Sequence, residues 1–255
     1  DGPVAGATLV ADPRVDKIAF TGGIDAGRLV IQNAARTVKR MSIELGGKNP
    51  NIVFADADFE AAVDGALFGA FANQGEVCSA GSRLLVERSI YERMLVALAE
   101  KAKRIRLGNP LDRETKMGPL VTAEHRDKVL SYIEIGKKEG HRLICGGGAA
   151  TRGELARGFF VEPTIFADVD NRSRIGQEEI FGPVLAVIPF ATESDAVRIA
   201  NDTPYGLAGA VWTRDVFRGI RVLKQIRAGI LWLNTYHPTY NEAPWGGYKQ
   251  SGFGR

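Results

Sequence analysis

Cysteine, histidine and long apolar stretches are scarce in this chain. Its two cysteines, Cys78 and Cys145, are too few for a disulfide framework and favour a reducing compartment. The three histidines are scattered, and no spacing of His, Cys and carboxylate residues indicates a metal site. No stretch approaches the roughly 20 apolar residues that cross a bilayer. We therefore expect a cytoplasmic protein with no metal site and no membrane span.

An excess of one charge is also absent, since 33 basic residues against 30 acidic ones leave a net charge of +3. No block of like charge suggests a polyanionic partner, so we expect no binding to nucleic acid. Apolar residues make up 45% of the chain and charged residues 25%, as in ordinary soluble globular proteins. A chain of 255 residues can bury a substantial core in one large domain or two small ones.

Strand-like and helix-like segments alternate along the chain, which predicts the α/β class. Residues 15–20 read as a strand, 25–38 as a helix and 40–45 as a strand, which is one step of a doubly wound parallel sheet. The apolar run 183–189 is typical of a central parallel strand that is covered on both faces. The other predicted strands are 51–54, 83–87, 143–145, 208–213 and 229–233, and the other predicted helices are 58–71, 91–105, 123–138, 194–201 and 215–226.

Two segments carry residues suited to covalent chemistry on a carbonyl group. Cys78 lies in Asn73-Gln-Gly-Glu-Val-Cys-Ser-Ala-Gly-Ser-Arg83, and Glu44 lies in Ile43-Glu-Leu-Gly-Gly-Lys48. A thiol nucleophile and a carboxylate base are the groups needed to form and then hydrolyse a thioester. Taken alone, an inert buried cysteine and a surface glutamate would explain them as well. Cys145 follows a strand-like run and reads as a small core residue.

Five motifs in order resemble signatures of the NAD(P)-dependent aldehyde dehydrogenase superfamily, from about Asp12 to Arg255. They are Phe20-Thr-Gly-Gly23, Glu44-Leu-Gly-Gly-Lys48, Gly75-x-x-Cys78, Glu178-Glu-Ile-Phe-Gly-Pro-Val184 and Pro244-Trp-Gly-Gly-Tyr-Lys-Gln-Ser-Gly-Phe-Gly-Arg255. The resemblance implies an aldehyde dehydrogenase-like catalytic domain with a parallel-rich sheet over residues 47–255. It also implies that residues 1–46 are the last part of a Rossmann-like nucleotide-binding domain. Because the chain begins with Asp1, we expect the rest of that domain to lie upstream.

The resemblance also implies a role for each reactive residue. Cys78 would be the nucleophile, and its backbone N–H would form half of an oxyanion hole. Glu44 would activate the water that hydrolyses the thioester. Related families that pass the acyl group to coenzyme A commonly lack this glutamate, so its presence favours water as the acceptor. The substrate would be an aldehyde, and the parent enzyme would be a homodimer or homotetramer.

Six residues match positions that bind the cofactor in the family: Gly22, Gly23, Gly27, Leu45, Glu179 and Phe181. A glycine turn that leads into a helix N-terminus suits a pyrophosphate, although a plain tight turn explains it equally well. Glu179 would hold the nicotinamide ribose, Phe181 would pack near the nicotinamide, and the Leu45 carbonyl would receive the carboxamide. Gly23 stands where the family often has serine, so the choice between NAD and NADP stays open.

Asn234 and Trp245 follow the last predicted strand, where the family shapes its substrate pocket. The segment Ala243-Pro-Trp-Gly-Gly resembles the betaine aldehyde dehydrogenase branch, and an aromatic wall can hold a quaternary ammonium group. However, Ala72 stands where plant members of that branch tend to carry a second tryptophan, so a simple apolar lining is an equal alternative. Glu76 replaces a glutamine common in the family and would raise the pKa of the thiol if it faced Cys78.

Two other functions use the same residues. A truncated, catalytically incompetent fragment is one, because the family's oxyanion-hole asparagine and its lysine on the adenosine ribose belong upstream of Asp1. A cysteine-dependent ester or thioester hydrolase is the other. That hydrolase would not need Glu179, Phe181 or the Gly22 turn, and a cofactor titration would separate it from a dehydrogenase.

Overall fold

The computed structural model describes residues 1–254, and within that range ten strands form two β-sheets. The strands are β1 (Lys17–Thr21), β2 (Arg40–Glu44), β3 (Pro50–Val53), β4 (Arg83–Glu87), β5 (Arg142–Cys145), β6 (Thr164–Ala167), β7 (Val184–Phe190), β8 (Ala208–Trp212), β9 (Ile230–Leu233) and β10 (Gly252–Phe253). The smaller sheet has the order β1-β2-β10, and the larger has the order β5-β6-β7-β4-β3-β8-β9.

The first α-helix precedes β1, and the other α-helices lie between strands in sequence. In chain order the α-helices are α1 (Ala7–Ala11), α2 (Ile24–Ala34), α3 (Phe59–Phe71), α4 (Tyr91–Ala102), α5 (Ala123–Lys138), α6 (Arg174–Gln177), α7 (Glu193–Asn201) and α8 (Val216–Leu223). Short 3₁₀ turns cover Ala35–Thr37, Ala72–Gly75, Arg88–Ile90, Gly153–Arg157 and Lys249–Ser251, and a π-helical turn covers Gly2–Gly6. The predicted α/β class is confirmed.

The small sheet contains the predicted β-α-β unit. Strands β1 and β2 are parallel, with Thr21 opposite Glu44 at their carboxyl ends, and α2 connects them. Strand β10 pairs antiparallel with β2, with Gly252 opposite Glu44. This third strand was not predicted, because two residues are too few to display a strand period. The end of the described chain thus returns to the carboxyl end of β2.

The large sheet is parallel except for β5, which pairs antiparallel with β6 at one edge. Strand β7 lies between β6 and β4 and is parallel to both, as its continuous apolar sequence predicted. One core cluster packs α3 and α4 against the sheet, and a second packs α5, α7 and α8. Helices therefore cover both faces, which is why the central strands are apolar on both sides.

The predicted element boundaries differ from the structure mainly at helix ends. Helix α2 ends at Ala34 because the chain turns left-handed at Val38 (φ 52°). Helix α3 begins as predicted, with the Asp58 side chain accepting the Ala61 N–H at 3.2 Å. Strand β6 was not predicted, although other strands of four residues were.

Candidate active site

The candidate site lies where the small sheet passes into the large one. Glu44 ends β2 and Gly22 follows β1, so both occupy the carboxyl edge of a parallel pair, where ligands commonly bind in α/β proteins. Residues 45–49 then lead directly into β3. Cys78 precedes β4, and β3 and β4 start side by side, with Pro50 opposite Arg83. The topology therefore brings the two predicted reactive segments together.

Direct contacts join the turn after Glu44 to the loop of Cys78. The Asn49 Nδ2 donates to the carbonyl oxygens of Cys78 at 2.9 Å and Ala80 at 2.8 Å, and its Oδ1 accepts the Ala208 N–H at 2.9 Å. At Gly47 a Cβ atom would collide with the Cys78 carbonyl oxygen, so only glycine allows this approach. Asn49 was missed in the sequence, since a lone asparagine carries no motif.

Glu44 is half-buried, and both of its carboxylate oxygens are buried. Its backbone carbonyl accepts the Gly22 N–H at 3.0 Å. The following residues are held by Ser251, whose backbone carbonyl accepts the Leu45 N–H at 2.9 Å and whose Oγ donates to the Gly46 carbonyl at 2.6 Å. Hydrogen bonds to the backbone of residues 44–46 therefore fix the conformation around the carboxylate.

A left-handed turn leads into the Cys78 loop. Asn73, Gln74 and Gly75 have φ values of 49°, 58° and 73°. Left-handed backbone costs a non-glycine residue about 1–2 kcal/mol, so such a turn persists only where its surroundings impose it. At Gly75 a Cβ atom would collide with the Gly182 carbonyl oxygen. The Cys78 loop and the loop after Glu179 therefore touch backbone to backbone.

The charges of two carboxylates act on the thiol of Cys78. Burial raises the pKa of Cys78, the Glu179 carboxylate raises it further, and Glu44 acts in the same direction. The backbone N–H groups of Ser79 and of Cys78 itself partly oppose these effects. Since the ordinary thiol is already mostly protonated at neutral pH, this site favours the thiol over the thiolate.

Glu179 lies against the turn that follows Glu44. Its Oε1 accepts the Gly47 N–H at 3.0 Å, and its carboxylate occupies the space that a Cβ atom at Gly46 would need. Burial raises the pKa of Glu179, whereas the Gly47 N–H and the cations Lys128 and Lys48 lower it. Lys128, on α5, was not identified in the sequence, because a single lysine in a helix gives no signal.

Lys48, the last residue of the Glu44 motif, is 1% exposed. Burial lowers the pKa of its ammonium group to about 7, and the neighbouring Arg83 guanidinium acts in the same direction. Glu179 and Glu178 oppose this shift. The buried Lys48 amine therefore acts electrostatically on Glu179, although burial disfavours its charged form.

Phe181 is half-buried and left-handed, with a φ of 60°. Its carbonyl oxygen lies 2.6 Å from Nε2 of His125 on α5. Glu76, which would raise the pKa of the thiol if it faced Cys78, is engaged with other partners. Its carboxylate instead accepts the Val121 N–H at 3.2 Å and lies 3.5 Å from His125, while Glu179 and Glu44 are the carboxylates that raise the pKa of Cys78.

The glycines of the predicted cofactor turn divide into two groups. Gly22 and Gly23 are exposed at the start of α2, and a Cβ atom at Gly23 would meet open space. Gly27 is buried within α2, and a Cβ atom there would collide with the Leu45 side chain. Gly27 and the Leu45 side chain thus pack α2 against the turn after Glu44, which explains this glycine without a cofactor contact.

An aromatic cluster of Trp232, Tyr236, His237 and Trp245 adjoins the Cys78 loop. The Tyr236 hydroxyl donates to the Ser79 carbonyl at 2.9 Å. The Tyr236 and Trp232 rings are 4.8 Å apart, and those of Trp232 and Trp245 are 6.3 Å apart. Trp232 and Trp245 line a cavity of about 290 Å³, although Cys78 is not among its lining residues.

Asn234, which was predicted to line the substrate pocket, is engaged elsewhere. Its Oδ1 accepts the Thr213 N–H and its Nδ2 donates to the Thr213 carbonyl, each at 2.9 Å. These bonds tie the residues that follow β8 and β9, at the carboxyl edge of the large sheet, whereas Cys78 precedes β4 at the amino edge. The placement of Asn234 favours a structural role.

A larger cavity, of about 540 Å³, lies beside Cys145 and Glu162. Burial raises the pKa of Cys145 to about 11, and its thiol donates to the Pro163 carbonyl at 3.6 Å. Cys145 is 8% exposed and packs in the core, as its strand-like context predicted. We therefore assign no covalent chemistry to this thiol, despite the size of the neighbouring space.

Across residues 1–254, no helix has both the length and the apolar character needed to cross a membrane. In the same range, no three His, Cys, Asp or Glu side chains are grouped as they would be around a metal ion.

Comparison with known proteins identifies the family. The sequence model described as "Aldehyde dehydrogenase family" matches residues 1–255. The chain therefore belongs to the aldehyde dehydrogenase family, which confirms the resemblance found in the motifs.

Individual relatives agree with this assignment. Betaine aldehyde dehydrogenase from Bacillus subtilis (strain 168) is 53% identical over 254 residues, which are 100% of this chain and 52% of that protein. The crystal structure of betaine aldehyde dehydrogenase from Staphylococcus aureus in complex with NAD⁺ has a TM-score of 0.98 at 48% identity, covering 100% of this chain and 50% of that one. The crystal structure of HpcC from Thermus thermophilus has a TM-score of 0.96 at 49% identity, covering 99% and 50%. The chain thus spans about half the length of the relatives it matches.

Proposed function

We propose that the full-length protein oxidises an aldehyde to a carboxylic acid, with Cys78 as nucleophile, Glu44 as general base and NAD⁺ or NADP⁺ as oxidant. The observation that carries this proposal is that the backbone of Cys78 contacts the turn after Glu44 while the Glu44 carboxylate acts on the Cys78 thiol, in a chain of the aldehyde dehydrogenase family. In support, betaine aldehyde dehydrogenase from Staphylococcus aureus was crystallised with NAD⁺.

In the first half-reaction Cys78 releases its thiol proton to solvent, and the thiolate sulfur forms a bond to the aldehyde carbon while the carbonyl oxygen becomes an alkoxide. Backbone N–H groups near Cys78 would stabilise that charge. When bound, the nicotinamide cofactor supplies the acceptor for the hydride that leaves this carbon. The loss of hydride restores the carbonyl group and leaves an acyl thioester on Cys78.

In the second half-reaction Glu44 takes a proton from water as the water oxygen attacks the thioester carbon. The carbon–sulfur bond then breaks, the carboxylic acid leaves, and Cys78 is regenerated as a thiolate. The position of Glu44 suits this role, because its carboxylate oxygens are buried and its charge acts on the Cys78 thiol.

The residues present fit a nicotinamide cofactor. Glu179 is a partly buried carboxylate held by the Gly47 N–H, so one oxygen can accept from ribose hydroxyls. Gly23 leaves open space at the start of α2, where backbone N–H groups suit a phosphate. We propose that residues 1–46 belong to the nucleotide-binding domain and residues 47–255 to the catalytic domain, with the Leu45 carbonyl and Phe181 close to the nicotinamide.

We further propose that the preferred aldehyde carries a quaternary ammonium group. Relatives at 48–53% identity are named betaine aldehyde dehydrogenase, and Trp245 adds an aromatic face to the cluster beside the Cys78 loop. Assembly as a homodimer or homotetramer is the state that the family resemblance favours, and light scattering of the full-length protein would measure it.

Burst kinetics of the full-length protein test the two catalytic assignments separately. Cys78→Ala should abolish formation of both acid and reduced cofactor. Glu44→Gln should keep one rapid equivalent of reduced cofactor per site and then stall, because only thioester hydrolysis needs the base. The matched control is Cys145→Ala, which should keep turnover because that thiol lies in the core. Normal turnover in Cys78→Ala would defeat the proposal.

The hydrolase alternative is tested on the same protein. A hydrolase would cleave an ester or thioester without cofactor and would show no change of fluorescence during titration with NAD⁺ or NADP⁺. The buried Glu179 beside Gly47 favours the dehydrogenase, because ester hydrolysis gives that carboxylate nothing to bind.

A further inference from the structure

His125 contacts both loops that meet beside the candidate nucleophile. Its Nε2 lies 2.6 Å from the Phe181 carbonyl oxygen and 3.5 Å from Oε1 of Glu76. Both neighbours are acceptors, so Nε2 carries a proton and donates it, whatever the charge on the ring. The side chains of His125 and Glu76 are only 16% and 10% exposed, so water competes little for these bonds.

The left-handed conformation of Phe181 is stabilised by contacts with residues outside its own loop. Phe181 holds left-handed backbone at φ 60°, a conformation that is unfavourable for a residue with a side chain. Two residues on one face of α5 cover it. The His125 ring meets the Phe181 ring edge to face at 5.9 Å, and Val129, one turn later, occupies the space that a Cβ atom at Gly182 would need.

The second partner of His125, Glu76, belongs to the loop of Cys78. Glu76 stands two residues before Cys78, and its carboxylate accepts the Val121 N–H at 3.2 Å just before α5. The neighbouring Gln74 accepts the Gly118 N–H at 3.2 Å. Glu76 therefore anchors the left-handed turn before Cys78 to the same segment that carries His125.

We propose that His125 is a positioning residue that fixes the position of the Phe181 loop relative to the Cys78 loop. Glu76 is its partner on the Cys78 side. The inference rests on the proposed function, because the relative position of the two loops affects the reaction only if an aldehyde on Cys78 must face a nicotinamide near Phe181. Small misplacements of reacting groups cost large factors in rate. Neither residue needs to touch the substrate in this role.

The test compares variants of the full-length protein by three measurements. These are the rate at which iodoacetamide alkylates Cys78, the affinity for NAD⁺ by fluorescence titration, and kcat with its isotope effect on a 1-deuterated aldehyde. The variants are His125→Ala, His125→Gln and Glu76→Gln. His141→Ala is the matched control, because His141 also pairs with a glutamate, Glu139 at 3.4 Å, but at the start of β5.

We expect His125→Ala to lower kcat about tenfold, to enlarge the isotope effect and to change the Cys78 alkylation rate. His125→Gln should recover part of kcat, since its amide N–H can still donate to the Phe181 carbonyl. The double variant His125→Ala with Glu76→Gln should lose less kcat than the product of the two single-variant losses. Two residues that act through the same contact are expected to behave in this way. His141→Ala should change none of these quantities.

A folded His125→Ala protein with unchanged kcat, NAD⁺ affinity and alkylation rate would overturn the inference. If His125→Ala does not fold, His125→Leu, which keeps the bulk of the side chain but cannot donate to either acceptor, decides the question by the same criteria. Failure of the proposed function is separate: the wild-type protein would then not oxidise aldehydes. The alkylation rate and the cofactor titration would still report whether His125 couples the loops.

Discussion

At the scale of single residues, the environment of Cys78 is unusual for a nucleophile because it opposes ionisation. Burial and the carboxylates of Glu179 and Glu44 all raise the pKa of the thiol. A protected thiol is suited to an enzyme whose nucleophile must survive between turnovers, since the thiolate is the form that oxidises readily. The same carboxylates can serve the reaction, one as base and one as cofactor ligand.

This environment makes the alkylation of Cys78 pH-dependent in a defined direction. The rate should rise with pH through the elevated pKa of the thiol, because only the thiolate reacts. Glu179→Gln removes the largest carboxylate effect, so the whole profile should move to lower pH and alkylation at neutral pH should become faster. The measurement is the alkylation of Cys78 by iodoacetamide, followed by mass spectrometry from pH 6 to pH 10.

The control for this profile is Glu178→Gln. Glu178 is adjacent to Glu179 in sequence, but its carboxylate accepts from Arg174 at 2.8 Å and 2.9 Å and from the Tyr132 hydroxyl at 2.6 Å. Its removal should leave the profile of Cys78 in place. An equal shift in both variants would show that the effect does not come from Glu179 in particular.

Trp245 gives a second prediction at the residue scale. Betaine aldehyde and 3,3-dimethylbutanal have nearly the same shape, but only the first carries a positive charge. Trp245→Leu should lower kcat/KM for betaine aldehyde relative to the neutral aldehyde by about 2- to 30-fold, from a cation–π attraction of roughly 0.5–2 kcal/mol. Phe217→Leu, at an exposed ring on α8, should keep the ratio. A ratio unchanged in Trp245→Leu would refute a cationic substrate held by this ring.

The sequence identified residues with distinctive chemistry and missed residues that act through position. Cys78 and Glu44 could be predicted because a cysteine and a glutamate between small residues are rare and form motifs. Asn49, Lys128 and His125 could not, because each is an ordinary polar residue whose role arises only when distant segments fold against it. Asn234 was predicted to line the substrate pocket, but in the folded chain its amide binds the Thr213 backbone.

At the scale of elements, Ser251 is the side chain that ties the end of the described chain to both sheets. Its hydroxyl donates to the Gly46 carbonyl at 2.6 Å and accepts the Gly206 N–H at 3.0 Å, just before β8. Strand β10 begins at the next residue and pairs with β2 beside Glu44. One buried hydroxyl thus holds the turn of the proposed base against the large sheet.

Ser251→Ala should therefore loosen the turn after Glu44 while leaving the fold intact. Two buried main-chain groups lose their partner, which costs about 1–3 kcal/mol and should accelerate hydrogen exchange there about 5- to 150-fold. Exchange mass spectrometry of the peptides that contain Gly46 and Gly206 measures this effect. Ser131→Ala, at an exposed hydroxyl on α5 that bonds the Lys128 carbonyl, should leave both peptides unchanged. Protection retained in Ser251→Ala would contradict the assigned role.

The long helices and most strands followed from the sequence, whereas β6 and β10 did not. The ranges of α5 and β4 were predicted to the residue, because helical or strand periodicity continues for enough positions to be read. Strands β6 and β10 have four and two residues, and their conformation depends on the strands beside them. It is β10, the shorter one, that contacts the candidate site.

At the scale of the whole molecule, the proposed cofactor site draws on both sheets. Gly22 and Gly23 follow β1 of the small sheet, whereas Glu179 and Phe181 precede β7 of the large one. A ligand that binds residues from both parts must stabilise their arrangement, because it binds the folded protein and not the unfolded chain. Cofactor binding should therefore be visible as thermal stabilisation, without any catalytic turnover.

We expect the melting temperature of the full-length protein to rise with the concentration of NAD⁺ or NADP⁺. A cofactor present at 100 times its Kd adds about 2.7 kcal/mol to the stability of the folded state. Glu179→Gln should reduce this rise, because the amide replaces the charged acceptor proposed for the ribose hydroxyls, whereas Glu178→Gln should retain it. Differential scanning fluorimetry with each cofactor in turn measures the effect and also shows which of the two is preferred. A rise of equal size in wild type and Glu179→Gln would remove Glu179 from the cofactor site, and no rise with either cofactor would count against the dehydrogenase itself.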